Sequence, residues 1–246
     1  MSIAELQKMD VVTKAVPTAQ PLRKIVIAVD GPAASGKGTL ARKIAERLGY
    51  AYLDTGALYR AVALAVLEMN GDPSRVGDVM LAVDVVKRNL TLELLASSLL
   101  RRPDVSEASS KVAALPEVRT ELLEFQRSFA KNPPGEVGGA VLDGRDIGTV
   151  VCPDADIKFF VTAKPEERAQ RRFNELQWHH PLLTLEKVLA DLLQRDQRDK
   201  TREVSPAYPA NDAYLLDTTK LSPDEVLDTA IYTVQKKFLG ATDDHA

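Results

Sequence analysis

Apolar residues along the chain fall into two kinds of run. Five are short and continuous: Ile25-Val26-Ile27-Ala28-Val29, then stretches near 50–53 and over 140–142, 157–161 and 213–216, each long enough for a buried strand and too short for a helix. Elsewhere apolar positions recur at helical spacing. Leu40, Ala41, Ile44, Ala45 and Leu48 predict a helix over 37–48 that Gly49 closes as a C-terminal cap, and further helices are predicted over 57–69 and 223–239. Short apolar strands alternating with helices imply an α/β fold, a five-stranded parallel sheet with helices on both faces. From about 72 to 135 the alternation gives way to amphipathic helical patterns, notably over 116–129, before Asn132-Pro133-Pro134-Gly135 returns the chain to the core. That segment reads as an insertion between two core stretches, 24–71 and 136–240. Residues 1–23 mix charges with Pro17 and Pro21 without a sustained period and are expected to form a loosely ordered extension.

The first strand leads directly into Gly31-Pro32-Ala33-Ala34-Ser35-Gly36-Lys37-Gly38-Thr39. Gly31 and Gly36 let backbone amides turn inward without a Cβ penalty, and Lys37 opens a helix whose N-terminal dipole faces the same anion. Successive amides plus one lysine hold a polyphosphate. A plain Gly/Ser turn would leave Lys37 unexplained. The general pattern places Ser or Thr directly after the lysine, whereas here Gly38 intervenes, so Thr39 is assigned to a phosphate oxygen and not to a metal ion.

Ligands of such folds bind beyond the carboxyl ends of the strands, where Asp30, Asp54, Asp143 and Asp217 fall. Aspartates there also serve as ordinary turn and cap residues. Thr55 and Arg60, just after the second strand, offer a hydroxyl and a guanidinium for a second phosphate, or simply a cap and a solvated side chain. Asp143-Gly144-Arg145-Asp146 crowds two carboxylates and an arginine at a strand end, which indicates a ligand or a structural ion pair. Arg168, Arg171 and Arg172 follow Pro165, a good first-turn residue, at spacings that put them on one helix face; Arg195, Arg198 or Asp199, and Arg202 repeat that spacing. Each row either neutralises a phosphoryl group or is a solvated face laced with salt bridges. His179-His180 lies between Trp178 and Pro181, a setting that suits a mobile flap better than a metal site.

Composition narrows the partners. At 246 residues and 45% hydrophobic content the chain can bury a full core, and its net charge of -3 argues against a nucleic-acid or membrane surface. Cys152 is the single cysteine, which rules out an internal disulfide, fits a reducing compartment and is expected as a small residue at a strand end. No stretch reaches the length of a membrane span and the N-terminus lacks the apolar core of a signal peptide, so a cytoplasmic monomer is expected.

With these residues assembled, the chain resembles the bacterial cytidylate kinases, nucleoside monophosphate kinases of the P-loop kinase fold, across nearly its whole length after the extension. The resemblance rests on the Gly-Lys-Gly-Thr form of the loop, on Leu53-Asp54-Thr55-Gly56-Ala57-Leu58-Tyr59-Arg60, and on Ser110-Lys111-Val112-Ala113-Ala114-Leu115-Pro116-Glu117-Val118-Arg119. It continues through Asp143-Gly144-Arg145-Asp146-Ile147-Gly148-Thr149-Val150-Val151, Arg195-Asp196 with Asp199 and Arg202, Pro209-Ala210, and Asp217-Thr218-Thr219. It implies an NMP-binding insertion over 72–135, a short lid over about 165–183, and transfer of the γ-phosphoryl group of ATP, with Mg2+, to CMP and dCMP. By the same resemblance residues 31–39 hold the donor triphosphate, with Arg168, Arg171 and Arg172 on the lid. Thr55, Arg60 and Arg145 take the acceptor phosphate, Ser110, Arg119 and Asp146 read the cytosine edge, and Asp199 meets the sugar. Lys37, Arg145, Arg195 and Arg202 would align and neutralise the phosphates. The family's insertion usually carries a small hairpin before the Ser110 segment; here only residues 90–100 fill that space, without hairpin turn residues. Two rivals remain: a kinase for UMP or a non-nucleotide acceptor, and a nucleotide-binding switch, although the chain has no Asn-Lys-x-Asp guanine signature.

Overall fold

The computed structural model describes residues 23–178 and 180–239. Except for Arg23, the expected N-terminal extension lies outside the described residues, as do His179 and Gly240. The chain runs β1 (Ile25–Asp30), α1 (Lys37–Leu48), β2 (Ala51–Asp54), α2 (Thr55–Glu68), α3 (Val76–Arg88), α4 (Leu92–Ala96), a 3-10 turn (Ser98–Arg101), α5 (Pro103–Val112) and α6 (Pro116–Lys131). It continues through β3 (Gly139–Gly144), a π-turn (Ile147–Val151), β4 (Ile157–Thr162), α7 (Pro165–Leu176), α8 (Leu185–Thr201), β5 (Tyr214–Asp217) and α9 (Pro223–Leu239).

The five strands form one parallel sheet in the order β2-β3-β1-β4-β5. β1 is central, and the chain leaves it first toward β2 and β3 and later toward β4 and β5. The crevice beyond its carboxyl end is therefore a topological switch point, and the loop after β1 lies there. Register aligns the strand ends: Asp54 sits opposite Asp143, and Asp30 opposite Gly144.

Both sheet faces are buried, which accounts for the unbroken apolar runs. On one face Ile27, Val29, Val141 and Phe159 pack with Leu40 and Ile44 of α1 and with Val226 and Ala230 of α9. On the other, Ala28, Leu53 and Leu142 pack with Phe129 of α6 and Ile147 of the π-turn. The segment over 72–135 shares a second core with α2. Leu58, Val62 and Val66 of α2 join Val79 and Val83 of α3, Val105 of α5 and Leu122 of α6 in one cluster, so the boundary drawn at residue 72 crosses continuous packing.

Several expected boundaries shift for identifiable reasons. Helix α2 begins at Thr55, two residues earlier than the apolar pattern indicates, because the Asp54 carboxylate caps it by accepting from the Ala57 amide at 3.2 Å. β3 runs through Gly144 and not only over 140–142, since its polar end is still paired with β1. Cys152 is buried but follows the π-turn instead of ending a strand, and burial pushes its thiol up to about 12. Residues 90–100 hold α4 and the start of the 3-10 turn in place of a hairpin. Trp178 lies in the connection between α7 and α8 and is 83% exposed.

Candidate active site

The loop after β1 has the geometry of an anion cradle. Gly31 has φ +149° and a Cβ there would lie 2.0 Å from the Val161 carbonyl oxygen, so only glycine fits. Gly36, at φ +89°, is the N-cap of α1 and brings no side chain to that end, which leaves the first amides of the helix free for a ligand. Lys37 follows. It is partly buried, and among the described residues none gives its ammonium a hydrogen bond or ion pair. Burial pushes it down to about 8, helped by the positive charges of Arg145 and Arg195 and opposed by Asp143 and Asp54.

Beyond Lys37 a single pocket is lined by Thr55, Tyr59 and Arg60 of α2, Ser110 of α5, Arg119 of α6, Asp143 to Asp146 at the end of β3, and Arg195, Asp199 and Arg202 around the end of α8. Elements far apart in sequence thus bring all nine of the expected acceptor-side residues, Thr55, Arg60, Ser110, Arg119, Arg145, Asp146, Arg195, Asp199 and Arg202, into one wall. Thr55 donates its hydroxyl to the Asp143 carbonyl at 2.7 Å, a bond it would exchange to donate to a phosphate oxygen. Arg60 is held by Asp54 at 2.5 Å and lies over Gly56, where a Cβ would meet its Nη1 at 2.9 Å.

Arg145 donates from Nε to Asp199 at 3.0 Å and from Nη1 to the Gly144 carbonyl at 3.1 Å, so part of its fork stays available. Burial would raise the Asp199 carboxyl, but Arg145, Arg195 and Arg202 outweigh it and hold the group below its ordinary range. Arg195 is partly buried and pushed down to about 10 by desolvation and by Arg145, and its Nε has no partner among the described residues. Arg202 donates to the Ser205 carbonyl at 2.5 Å and lies 3.6 Å from Asp146.

At the far end Asp146 accepts from Arg119 Nη2. Arg119 in turn lies over the Tyr59 ring, 5.4 Å from its centroid, and donates to the Ala113 carbonyl at 3.2 Å. The Ser110 hydroxyl beside them is buried without a hydrogen-bond partner. Such a group is costly unless a ligand satisfies it. The pocket walls carry six cations against four carboxylates, a surplus of two positive charges. Burial and Asp54 also raise the Asp143 carboxyl, with Lys37 acting against them. A pocket of this kind takes an anion.

The expected lid arginines divide. Arg168 is 3% exposed and fully committed: it donates to Ala163 O at 3.0 Å, Ala33 O at 3.1 Å and Asp196 at 2.7 Å. It braces the phosphate loop through the Ala33 carbonyl. Arg171 binds the hydroxyl and carbonyl of Thr218 at 2.9 and 2.6 Å, while Arg172 pairs with Glu175 at 2.9 Å and is the most accessible of the three. Thr218, just past β5, also donates to Ser35 O at 2.9 Å and so fastens the loop to the opposite strand end. Neither this link nor the Tyr59 support beneath Arg119 has a sequence signal; both need the fold to bring the partners together.

A five-stranded parallel sheet with a glycine-lysine loop at its switch point and an arginine-rich acceptor pocket beside it defines a phosphate-loop kinase. A family model described as cytidylate kinase matches residues 27–236. A cytidylate kinase of Paramagnetospirillum magneticum is 50% identical over 86% of this chain and 98% of its own length, and one of Granulibacter bethesdensis is 50% identical over 87% and 99%. The chain therefore belongs to the cytidylate kinase family. Among solved structures, an uncharacterized protein from Eubacterium ventriosum shares the fold with a TM-score of 0.52 at 14% identity, covering 86% of this chain and 99% of that one. Among the described residues no helix is long and apolar enough to cross a membrane.

Proposed function

We propose that the protein transfers the γ-phosphoryl group of ATP to CMP, and also to dCMP, by direct in-line attack of an acceptor phosphate oxygen. The donor triphosphate takes the amides of Gly31, Pro32-Ala33-Ala34, Ser35, Gly36, Gly38 and Thr39 wherever an N–H exists, Pro32 having none. Lys37 reaches the bond being broken. The acceptor phosphate takes Thr55, Arg60 and Arg145, and Arg195 and Arg202 neutralise the charge spread over the transferring oxygens. Six cations held by protein packing need no reorganisation when that charge develops. Arg171 and Arg172 cover the donor side, with Arg168 fixing the loop underneath.

The phosphate oxygens of ATP would hold magnesium beside Lys37 and the arginines, where it would add to the charge neutralisation. Among the described residues no three side chains are grouped to hold a metal, which fits an ion carried by phosphate and water. Asp199 is placed for the acceptor sugar. The observation that carries the cytosine reading is the Ser110 hydroxyl without a partner next to the Arg119–Asp146 pair: together they present a donor, a cation and an acceptor to one base edge. A carboxylate accepts from the cytosine 4-amino group and opposes the uracil 4-carbonyl. We take the protein to act as a monomer in the cytoplasm, where a single cysteine suits the reducing conditions.

A coupled ADP-release assay over CMP, dCMP, UMP and a non-nucleotide alcohol tests the reading. Rapid multiple turnover with CMP and dCMP is the expected result. A single turnover would favour a switch, and preference for another acceptor would refute the cytosine assignment.

A further inference from the structure

Asp30, the last residue of β1, has no part in the chemistry above. It is 5% exposed, and its two carboxylate oxygens accept from the amides of Ile147 and Gly148, each at 2.8 Å. Those amides open the π-turn, whose flanking residue Asp146 supplies no side-chain cap. An aspartate from a distant strand thus provides the cap that the turn's own sequence lacks. The seat is tight on both sides: a Cβ on Gly144 would lie 2.7 Å from Ile147 Cδ1, and one on Gly148 would lie 3.0 Å from Lys158 Cδ. Arg145 and Asp146 immediately precede the anchored amides, so the direction of both side chains follows from where the turn is pinned.

We propose that Asp30 is a positioning residue for acceptor-base selection: by anchoring the amides of Ile147 and Gly148 it fixes how Asp146 presents its carboxylate beside Arg119, and through that the preference for cytosine. The inference rests on the reading of Asp146 as a base-reading group. Among the described residues no hydrogen bond of the Asp30 side chain reaches the loop over 31–39, so donor binding is spared.

The charged and titratable groups facing Asp30 are Asp146 and Arg145 from the end of β3 and the Cys152 thiol beyond the π-turn. Lys158 of β4 is turned to the Pro153 carbonyl and Asp212. Burial pushes the Asp30 carboxyl up to about 7, against the two amide bonds. Protonation weakens it as a double acceptor, so base selection weakens as pH falls through neutrality.

The experiment measures kcat/KM for CMP and UMP in the wild type and in Asp30→Asn, with the ATP half-saturation and the melting temperature. The expected result is a fall of about tenfold or more in the CMP-to-UMP ratio, with ATP half-saturation changed less than about threefold. A ratio within about twofold of the wild type, even with a lowered melting temperature, overturns the proposal, because a merely structural bond would cost stability without redirecting base choice. If Asp30→Asn does not fold, the wild type decides. The phosphate titrations of CMP and UMP cancel in the ratio, which should drop several-fold between about pH 8.5 and about pH 6, and a flat ratio overturns the proposal. A wild type with no preference for CMP at any pH refutes the Asp146 reading itself, and that failure is separate from a preference that survives Asp30→Asn.

Discussion

Lys37→Met should stabilise the protein while disabling it. Lys37 is partly buried and its ammonium is pushed from 10.5 to about 8, so keeping it charged at neutral pH costs roughly 3 kcal/mol relative to an exposed lysine. The sign follows from proton counts. Between about 8 and about 10.5 the unfolded chain binds more protons at this site than the folded one, so stability rises with pH across that window and the whole penalty is present below it. Methionine keeps most of the volume and removes the charge. That shift already contains the attraction of Asp143 and Asp54 and the repulsion of Arg145 and Arg195, so only the imperfect packing of methionine is subtracted, about 1 kcal/mol, which leaves a net of about 2 kcal/mol. For a chain of this size that is a rise of about 4–8 °C in melting temperature without added nucleotide. Turnover with ATP and CMP should fall by two orders of magnitude or more, because a preorganised cation aimed at transition-state charge is gone. Thermal melts at about pH 7 and about pH 10, alongside steady-state assays, test both halves, and the stability advantage should shrink at the higher pH. A lower melting temperature at neutral pH, or turnover near that of the wild type, would refute the reasoning.

Other substitutions separate the remaining roles. Asp146→Asn can turn its amide to donate to a uracil carbonyl, so the CMP-to-UMP ratio of kcat/KM should fall by about two orders of magnitude, mainly through loss of CMP activity; an unchanged ratio would move base selection to Ser110 and Arg119. Arg145→Lys keeps the charge but not the planar fork that serves Asp199 and a phosphate together, and should raise the acceptor KM and lower kcat by about tenfold or more. Unchanged constants would make Arg145 only an ion-pair partner. Arg168→Ala leaves Ala33 O and Asp196 without their donor and should cost about 3 kcal/mol in a urea titration and raise the KM for ATP more than that for CMP. Equal changes in the two KM values would show that the arginine does not act through the phosphate loop.

The donor half was legible in the sequence because its signals are local. One strand, a glycine loop and one amphipathic helix lie within residues 25–48, and each follows from spacing or from the residue types that tight turns require. The acceptor half was legible as a set of residues, since the strand-end clusters around Thr55 and Arg145 and the arginine rows all stand out. The resemblance supplied Ser110 and Arg119. What each residue touches was not legible. Arg168, Arg171 and Arg172 have the same spacing signature, yet one is buried beneath the loop, one is tied to Thr218 and one is paired with Glu175, because three different surroundings meet that helix face. Asp30 reads as one of four aspartates at strand ends. Its distinct role depends on the π-turn more than a hundred residues later lying across the end of β1. The early start of α2 was hidden for a related reason, since Asp54 ends a strand and caps a helix at once.

The two halves of the pocket stand on separate apolar foundations. Donor residues rise from the cluster that joins the sheet to α1 and α9, while Thr55, Tyr59, Arg60, Ser110 and Arg119 rise from the cluster shared by α2, α3, α5 and α6. A change of volume at Val83 or Leu122 therefore tilts Thr55, Arg60, Ser110 and Arg119 together and leaves the phosphate loop where it was. Such modularity lets a lineage retune which acceptor it accepts by drift in one buried cluster while the machinery that grips the triphosphate stays under its own constraints.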